Sequence, residues 1–424
     1  MYKILKVRKF YLFLLFNCGF CLVQAQTYSV ADLENLFQKN NLQLIAKKYE
    51  VNKAEALLIQ EKLWPNPTLT VDNLNLWANK SFETMPNLIG NYGSKQQLNM
   101  ELEQLIETAG KRKKRIAIKK AEQEGSQLEF EEVLRQLRLD LRNNLHSIRR
   151  LQLQEKELNT VHRLFSQLNE QYKIQAGKQH ISQVSYFRVN SELIGIQKEL
   201  LDLKTEMNDR IQELRVLTQI PELRVENIVF VEFSMDKFKT LPSNLKEQAL
   251  SQNIYLQTLN NEIQVSESQL RLEKAHRTPN FNLLMNYERG GNVMNNFIGF
   301  GLNIDLPIFN RNKGNIQAAK IQLEQNQVSY SMGQLTLGNE IDKILNRLEI
   351  YTRNLEQWQE NHGEGQVEVL ENYIKYLQER QVTLIEFIDF AQAQREVQQA
   401  FLELQEKYSN SIEELQYLVG KDLQ

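Results

Sequence analysis

The sequence predicts a mainly α fold with a small β part, written twice in tandem, and three observations predict it. Glycine (17) and proline (7) are scarce in 424 residues, a composition suited to long helices. Two tracts, Lys111 to Tyr172 and Gly314 to Tyr376, lack proline, hold little glycine and keep apolar residues at helical spacing, as in Leu134, Leu137, Leu141, Leu145 and Ile148. Short motifs also recur. NNLQL (40–44) returns as QNIYL (252–256), and NPTLTV (66–71) as TPNFNL (278–283), both displaced by 212 residues. AGKRKKRIA (109–117) returns as RNKGNIQAA (311–319) at 202, and ISQVSYFR (181–188) as VTLIEFID (382–389) at 201. The drop of ten follows if the connection at 77–96 is longer than the one at 288–296.

Taken in order, the N-terminus carries Lys3, Lys6, Arg8 and Lys9, then a mostly apolar run to Val23, then Val23-Gln24-Ala25. That pattern is a secretory signal peptide over 1–25, cut after Ala25. Both cysteines, Cys18 and Cys21, lie inside it, so the mature chain is expected to have none. Lipidation would need one of them, but Asn17 and Phe20 stand where a small residue is required. Beyond residue 26 no stretch approaches 18 apolar residues, so α-helical membrane spans are excluded. A first repeat is expected over 26–220, a connector with a short strand in RVENIVFVEF over 221–243, and a second repeat over 244–424. Each repeat reads as a helix (roughly 30–62, and 244–275), two strands, and a long helical hairpin. The hairpins turn at 176–182 and 378–383. About 60 helical residues would reach on the order of 90 Å, a rod that suits an elongated architecture.

The strands have two faces. In QLNMELEQL (97–105), Leu98, Met100 and Leu102 alternate with Asn99, Glu101 and Glu103. In FIGFGLNIDL (297–306), Ile298, Phe300, Leu302 and Ile304 alternate with Gly299, Gly301, Asn303 and Asp305. FNLLMNY (281–287) keeps Phe281, Leu283, Met285 and Tyr287 together, and LWPNPTLTVDNLNLW (63–77) requires a bulge near Asp72-Asn73 to do the same. A soluble core or a membrane barrel would each suit such alternation. Export, strand lengths near those that cross a bilayer, and aromatics near strand ends (Trp64, Trp77, Phe281, Tyr287, Phe297, Phe309) favour the barrel. Four strands cannot close one. An open edge in lipid exposes roughly nine unpaired backbone groups, tens of kcal/mol in all. Copies of the chain must therefore complete the wall, and three copies, giving twelve strands, are the smallest number that leaves a lumen.

These residues resemble the TolC-like outer membrane efflux channels, most closely their heavy-metal (cobalt-zinc-cadmium) branch. The resemblance rests on LWPNPTL (63–69), the GKR run (110–112), LPIFNRNKGNI (306–316), the tandem duplication and the closing pattern Leu415 to Gly420. It implies a homotrimer with a twelve-stranded barrel in outer membrane lipid and a periplasmic α-helical coiled-coil barrel. It further implies a periplasmic adaptor (membrane fusion) protein and an inner-membrane resistance-nodulation-division pump as partners, no enzymatic activity, and metal cations as the favoured cargo. Asn99, Glu101, Glu103, Asn303 and Asp305 are the expected lumen lining, whose acids would favour cations. Gly177, Ile181, Ser182, Val382 and Thr383 fall at the adaptor-contact turns, the second of which has Gln378 in place of glycine. Tyr373, Glu386 and Asp389 are the candidates for a periplasmic gate, with an ordinary solvated helix face as the alternative.

Other signals carry less. A net charge of −2 and pI near 6.3 supply no basic field for nucleic acid. GKRKKR (110–115) is a local cluster, suited to anionic headgroups, a neighbouring subunit's carboxylates, or plain solvation. It lacks the remaining residues of a phosphate-binding loop. Five histidines never fall at ligand spacing, so no structural metal or cofactor is expected. The rival reading is a soluble periplasmic coiled-coil scaffold or adaptor protein.

Overall fold

The computed structural model describes residues 27–72, 87, 97–290, 296–361 and 366–423. The leader at 1–25, Trp77, and the bulge expected past Asp72 lie outside the described residues. The chain divides into two units, each drawing on both repeats.

The helical unit comprises Arg138–Lys239, Leu348–Glu413 and the described residues up to Asn41. It opens with strand β1 (Tyr28–Ser29) and helix α1 (Val30–Asn40), held by a reciprocal cap: Asp32 N donates to Ser29 Oγ (3.1 Å) and Ser29 N to Asp32 Oδ2 (2.9 Å). Most of this unit is built from helices α3 (Lys111–Gly177), α4 (Gln183–Thr218), α8 (Lys313–Asn361), α9 (Gln366–Gln378) and α10 (Leu384–Val419), which it shares in part with the other unit. Helix α4 buries Val189, Leu193, Ile196, Leu200, Leu203, Met207, Ile211 and Leu214 at spacings of three and four, the seam of a coiled coil. Against it pack Leu158, Phe165 and Leu168 of α3 with Leu370, Phe387 and Ala391 of α9 and α10; the Phe165 and Phe387 rings lie 5.5 Å apart. The expected connector strand is two residues long: β4 (Ile228–Val229) runs parallel to β1. Beyond it, Phe233 sits edge-on to Tyr408 at 5.6 Å, and Tyr408 Oη donates to Met235 O (2.9 Å), just before the short helix α5 (Asp236–Lys239).

The sheet-bearing unit comprises Leu42–Leu137, Thr240–Arg347 and the chain from Glu414 on. It holds α2 (Leu42–Glu61), α6 (Leu245–Gln252), α7 (Ile254–Ala275) and the strands β2 (Thr68–Asp72), β3 (Leu98–Ile106), β5 (Phe281–Arg289) and β6 (Asn296–Ile304). The strands form one antiparallel sheet in the order β2-β3-β5-β6.

Sequence periodicity gave each repeat a single leading helix; each in fact breaks at an asparagine. Asn41 (φ −61°, ψ 120°) separates α1 from α2, and Asn253 (φ −63°, ψ 124°) separates α6 from α7. Asn41 Nδ2 donates to Leu217 O (3.0 Å) and Asn253 Nδ2 to Leu418 O (2.8 Å). An extended residue inside a helix leaves carbonyls unpaired nearby, and a short amide side chain is suited to satisfying one. The break therefore lies within the motif that revealed the duplication.

Candidate functional site

The register sorts the sheet into two faces. Val71, Met100, Tyr287 and Ile298 stand in one cross-strand row, and Leu69, Leu102, Met285 and Phe300 in the next; Leu283 and Leu302 continue the face. Leu98, at one end of this face, is buried, but among the described residues the rest of it is open: Leu302 is 56% exposed and Phe300 82%. On the opposite face Thr70, Glu101, Asn286 and Gly299 form one row and Asp72, Asn99 and Glu288 another, with Asn99 Nδ2 donating to Asp72 Oδ1 (2.7 Å). Glu103 pairs with Thr68, and Asn303 with Asn282, while Asp305 follows the end of β6. Asn99, Glu101, Glu103 and Asn303 thus share one face, as alternation requires. A glycine at 299 leaves room there: a Cβ would come within 2.3 Å of Asn286 Oδ1.

One end of the sheet is tied to the helices by the run that follows β3. Lys111 is buried and its Nζ donates to Thr278 O (2.5 Å) and Asn280 Oδ1 (2.6 Å), burial drawing its pKa below the ordinary lysine value. Thr108 N also donates to Asn280 Oδ1, at 3.3 Å. Arg115 Nε donates to Glu61 Oε1 (2.7 Å) and Nη2 to Glu107 Oε2 (2.8 Å); this pairing holds the Glu107 carboxyl below the usual carboxylate range. Arg112 lies 4.6 Å above the Trp64 ring and donates to Lys62 O. The basic run is therefore partly consumed inside the chain, a role that sequence reading missed because, Glu107 apart, the partners named here are about 50 to 170 residues away.

The two hairpin turns share one backbone. Gln179 and Arg380 are both left-handed with φ of 60°. His180 N donates to Gln175 O (2.9 Å) and Gln381 N to Tyr376 O (2.8 Å), closing the ends of α3 and α9 in the same way. Gly177 ends α3 without positive φ, and a Cβ there would meet nothing within 4 Å. Ser182 caps α4, its Oγ accepting from Ser185 N (3.1 Å). Ile181 and Val382 are partly exposed in the turns. Thr383 caps α10: Glu386 N donates to Thr383 Oγ1 (3.3 Å) and Thr383 N to Glu386 Oε2 (2.7 Å). That pairing lowers the Glu386 pKa and engages its carboxylate locally. Tyr373 stacks on Phe390 at 4.0 Å and 12°, and Asp389 is exposed. Among the described residues no helix is long and apolar enough to cross a membrane.

Residues 245–421 match the sequence pattern of the outer membrane efflux protein family. No curated protein matches the sequence. Among solved structures, the Campylobacter jejuni outer membrane channel CmeC superposes with a TM-score of 0.77 at 16% identity, covering 93% of this chain and 86% of that one. CusC, whose structures describe transmembrane channel formation, gives 0.73 at 16% identity over 92% of both chains. The open-state Neisseria gonorrhoeae MtrE outer membrane channel gives 0.72 at 14% identity, over 93% and 89%. The fold is thus the one these channels share.

Proposed function

We propose, for a chain whose residues 245–421 match the outer membrane efflux protein family, that three copies form an outer membrane duct passively carrying substrate out of the periplasm. The observation that carries this is the sheet. Among the described residues its apolar face is open beyond Leu98, its polar face is acidic, and no further strand lies beside the edge strands β2 and β6. In water such a face would be a severe liability; against lipid it is the required surface. Pairing β6 of one copy with β2 of the next would close twelve strands with Asn99, Glu101, Glu103, Asn303 and Asp305 toward the lumen. Exposed apolar residues at heptad spacing, Phe187, Ile194 and Leu201 on α4 and Ile321, Val328 and Leu335 on α8, offer helical seams for the same copies.

In this reading the turns at Gly177, Ile181, Ser182, Val382 and Thr383 meet a periplasmic adaptor that links the duct to an inner-membrane resistance-nodulation-division pump. Tyr373 and Asp389 belong to a constriction near the tunnel end, with Glu386 fixing the helix that carries Asp389. Metal cations are the favoured cargo, because hydrated carboxylates on Glu101 and Glu103 lower the barrier to cations without binding them tightly.

Fractionation of cells expressing the full chain tests the location: it should stay with outer membranes and need detergent for release. In mild detergent its mass should be that of a trimer. A soluble periplasmic monomer would overturn the reading. Conductance in planar bilayers then tests the lining, since Glu101→Gln with Glu103→Gln should reduce cation over anion selectivity.

A further inference from the structure

The helix end of the sheet carries an apolar rim that no other part of the described residues covers. Leu63, Trp64, Leu306, Ile308 and Phe309 are all exposed, Phe309 at 99%. They sit where β2 begins and β6 ends, continuous with the bare apolar face. Around them lie Lys62, Lys113, Arg277, Arg311 and Lys313, exposed and paired with no carboxylate among the described residues. Of the nearby acids, Glu61 and Glu107 hold Arg115 and Glu273 Oε2 accepts from Asn312 Nδ2 at 2.6 Å, while Asp305, exposed just before Leu306, is the acid assigned above to the lumen. Lys113 and Lys313 also stand in the first turns of α3 and α8, which hold no acid, where a cation opposes the helix dipole. Both repeats contribute to this rim, so its charge is not an accident of one loop.

We propose that this rim is a collar for anionic phospholipid, its aromatics seated among the headgroups and its five free cations contacting their phosphates. The inference rests on the outer membrane reading above. An apolar ring bordered by unpaired cations is complementary to a leaflet surface carrying negative charge, and less so to a zwitterionic one. Phosphate neutralisation would also relieve the unfavourable placement of cations at two helix starts. Arg112 is excluded from the collar's free charge because Trp64 and Lys62 O already hold it.

The test folds the full chain into vesicles of phosphatidylcholine alone and of phosphatidylcholine with phosphatidylglycerol, and measures which lipid is retained by the detergent-extracted trimer. Wild type should insert into both and retain phosphatidylglycerol with several-fold enrichment, falling toward parity at high salt. A variant with Lys62, Lys113, Arg277, Arg311 and Lys313 all changed to Gln should insert equally well and retain both lipids in proportion to their supply. Insertion without enrichment in wild type, or unchanged enrichment in the variant, would overturn the collar and leave the duct standing. Failure to enter either vesicle would sink both.

Discussion

Between the two β-hairpins the backbone is shared and the chemistry is not. On the polar face β2 and β3 carry Asp72, Glu101 and Glu103, whereas β5 and β6 carry Glu288 with Gly299 and Gly301. The apolar face is exposed on both, less so on β3, where Leu98 is buried, than on β6. Likewise α4 ends in a left-handed Gln219 (φ 57°) and α10, 201 residues on, in a left-handed Gly420 (φ 82°). Duplication preserved what the backbone needs, namely register, hinge and helix ends, and left side chains free wherever only one repeat does a given task. Acids concentrated on one hairpin would give a lumen three acidic sectors separated by slimmer, glycine-lined ones.

The sheet offers the strongest way to break this comparison. Leu102→Arg and Leu302→Arg place a cation on the apolar face of either hairpin and should each impair folding into vesicles, at about 2–4 kcal/mol if the face meets mid-bilayer. Asn303→Arg should fold normally. Equal damage at all three positions would remove the distinction between faces.

The helix ends come next. A Cβ at Gly420 would lie 2.3 Å from Gln252 O, so Gly420→Ala should cost about 2–3 kcal/mol through backbone clash and left-handed strain. Gln219→Gly, at the matching position, should instead stabilise by up to about 1 kcal/mol. Chemical denaturation of the two variants reads both signs.

The hinges should differ less. Asn253→Ala removes both the donor to Leu418 O and the cap on Leu256 N (2.9 Å), and should cost about 1–2 kcal/mol. Asn41→Ala removes the donor to Leu217 O (3.0 Å) and should cost about 1 kcal/mol. Amide exchange on α1 and α7 would rank them.

The smallest effect lies where the repeats touch. Glu157 on α3 accepts from Gln398 Nε2 on α10 (2.6 Å), and burial pushes its carboxyl up to about 6 from an ordinary 4.5. The folded state therefore holds this proton more tightly than the unfolded chain. Its stabilising contribution is present at low pH and is lost as pH rises through about 6, a change of about 1 kcal/mol after allowance for partial exposure. Glu157→Gln should flatten that part of the stability profile; an identical slope in the variant would assign it elsewhere.

Much of this was legible in the residues. The duplication, both hairpin turns and the strand parities follow from motifs and period-two alternation, which report local geometry directly. The hinges at Asn41 and Asn253 were not legible, because helical periodicity continues across a single extended residue. Nor was the role of Lys111: a buried lysine and a solvated one look alike until Thr278 and Asn280 are brought beside it.

The sequence by itself determined which side chains alternate, where long helices run and that the motif occurs twice, since these depend on spacing along one chain. Only the tertiary structure decided which rows the four strands form, which carboxylates neutralise Arg115, and that among the described residues most of the apolar face is left open. Those are properties of residues far apart in sequence, set by register and packing rather than by any local preference.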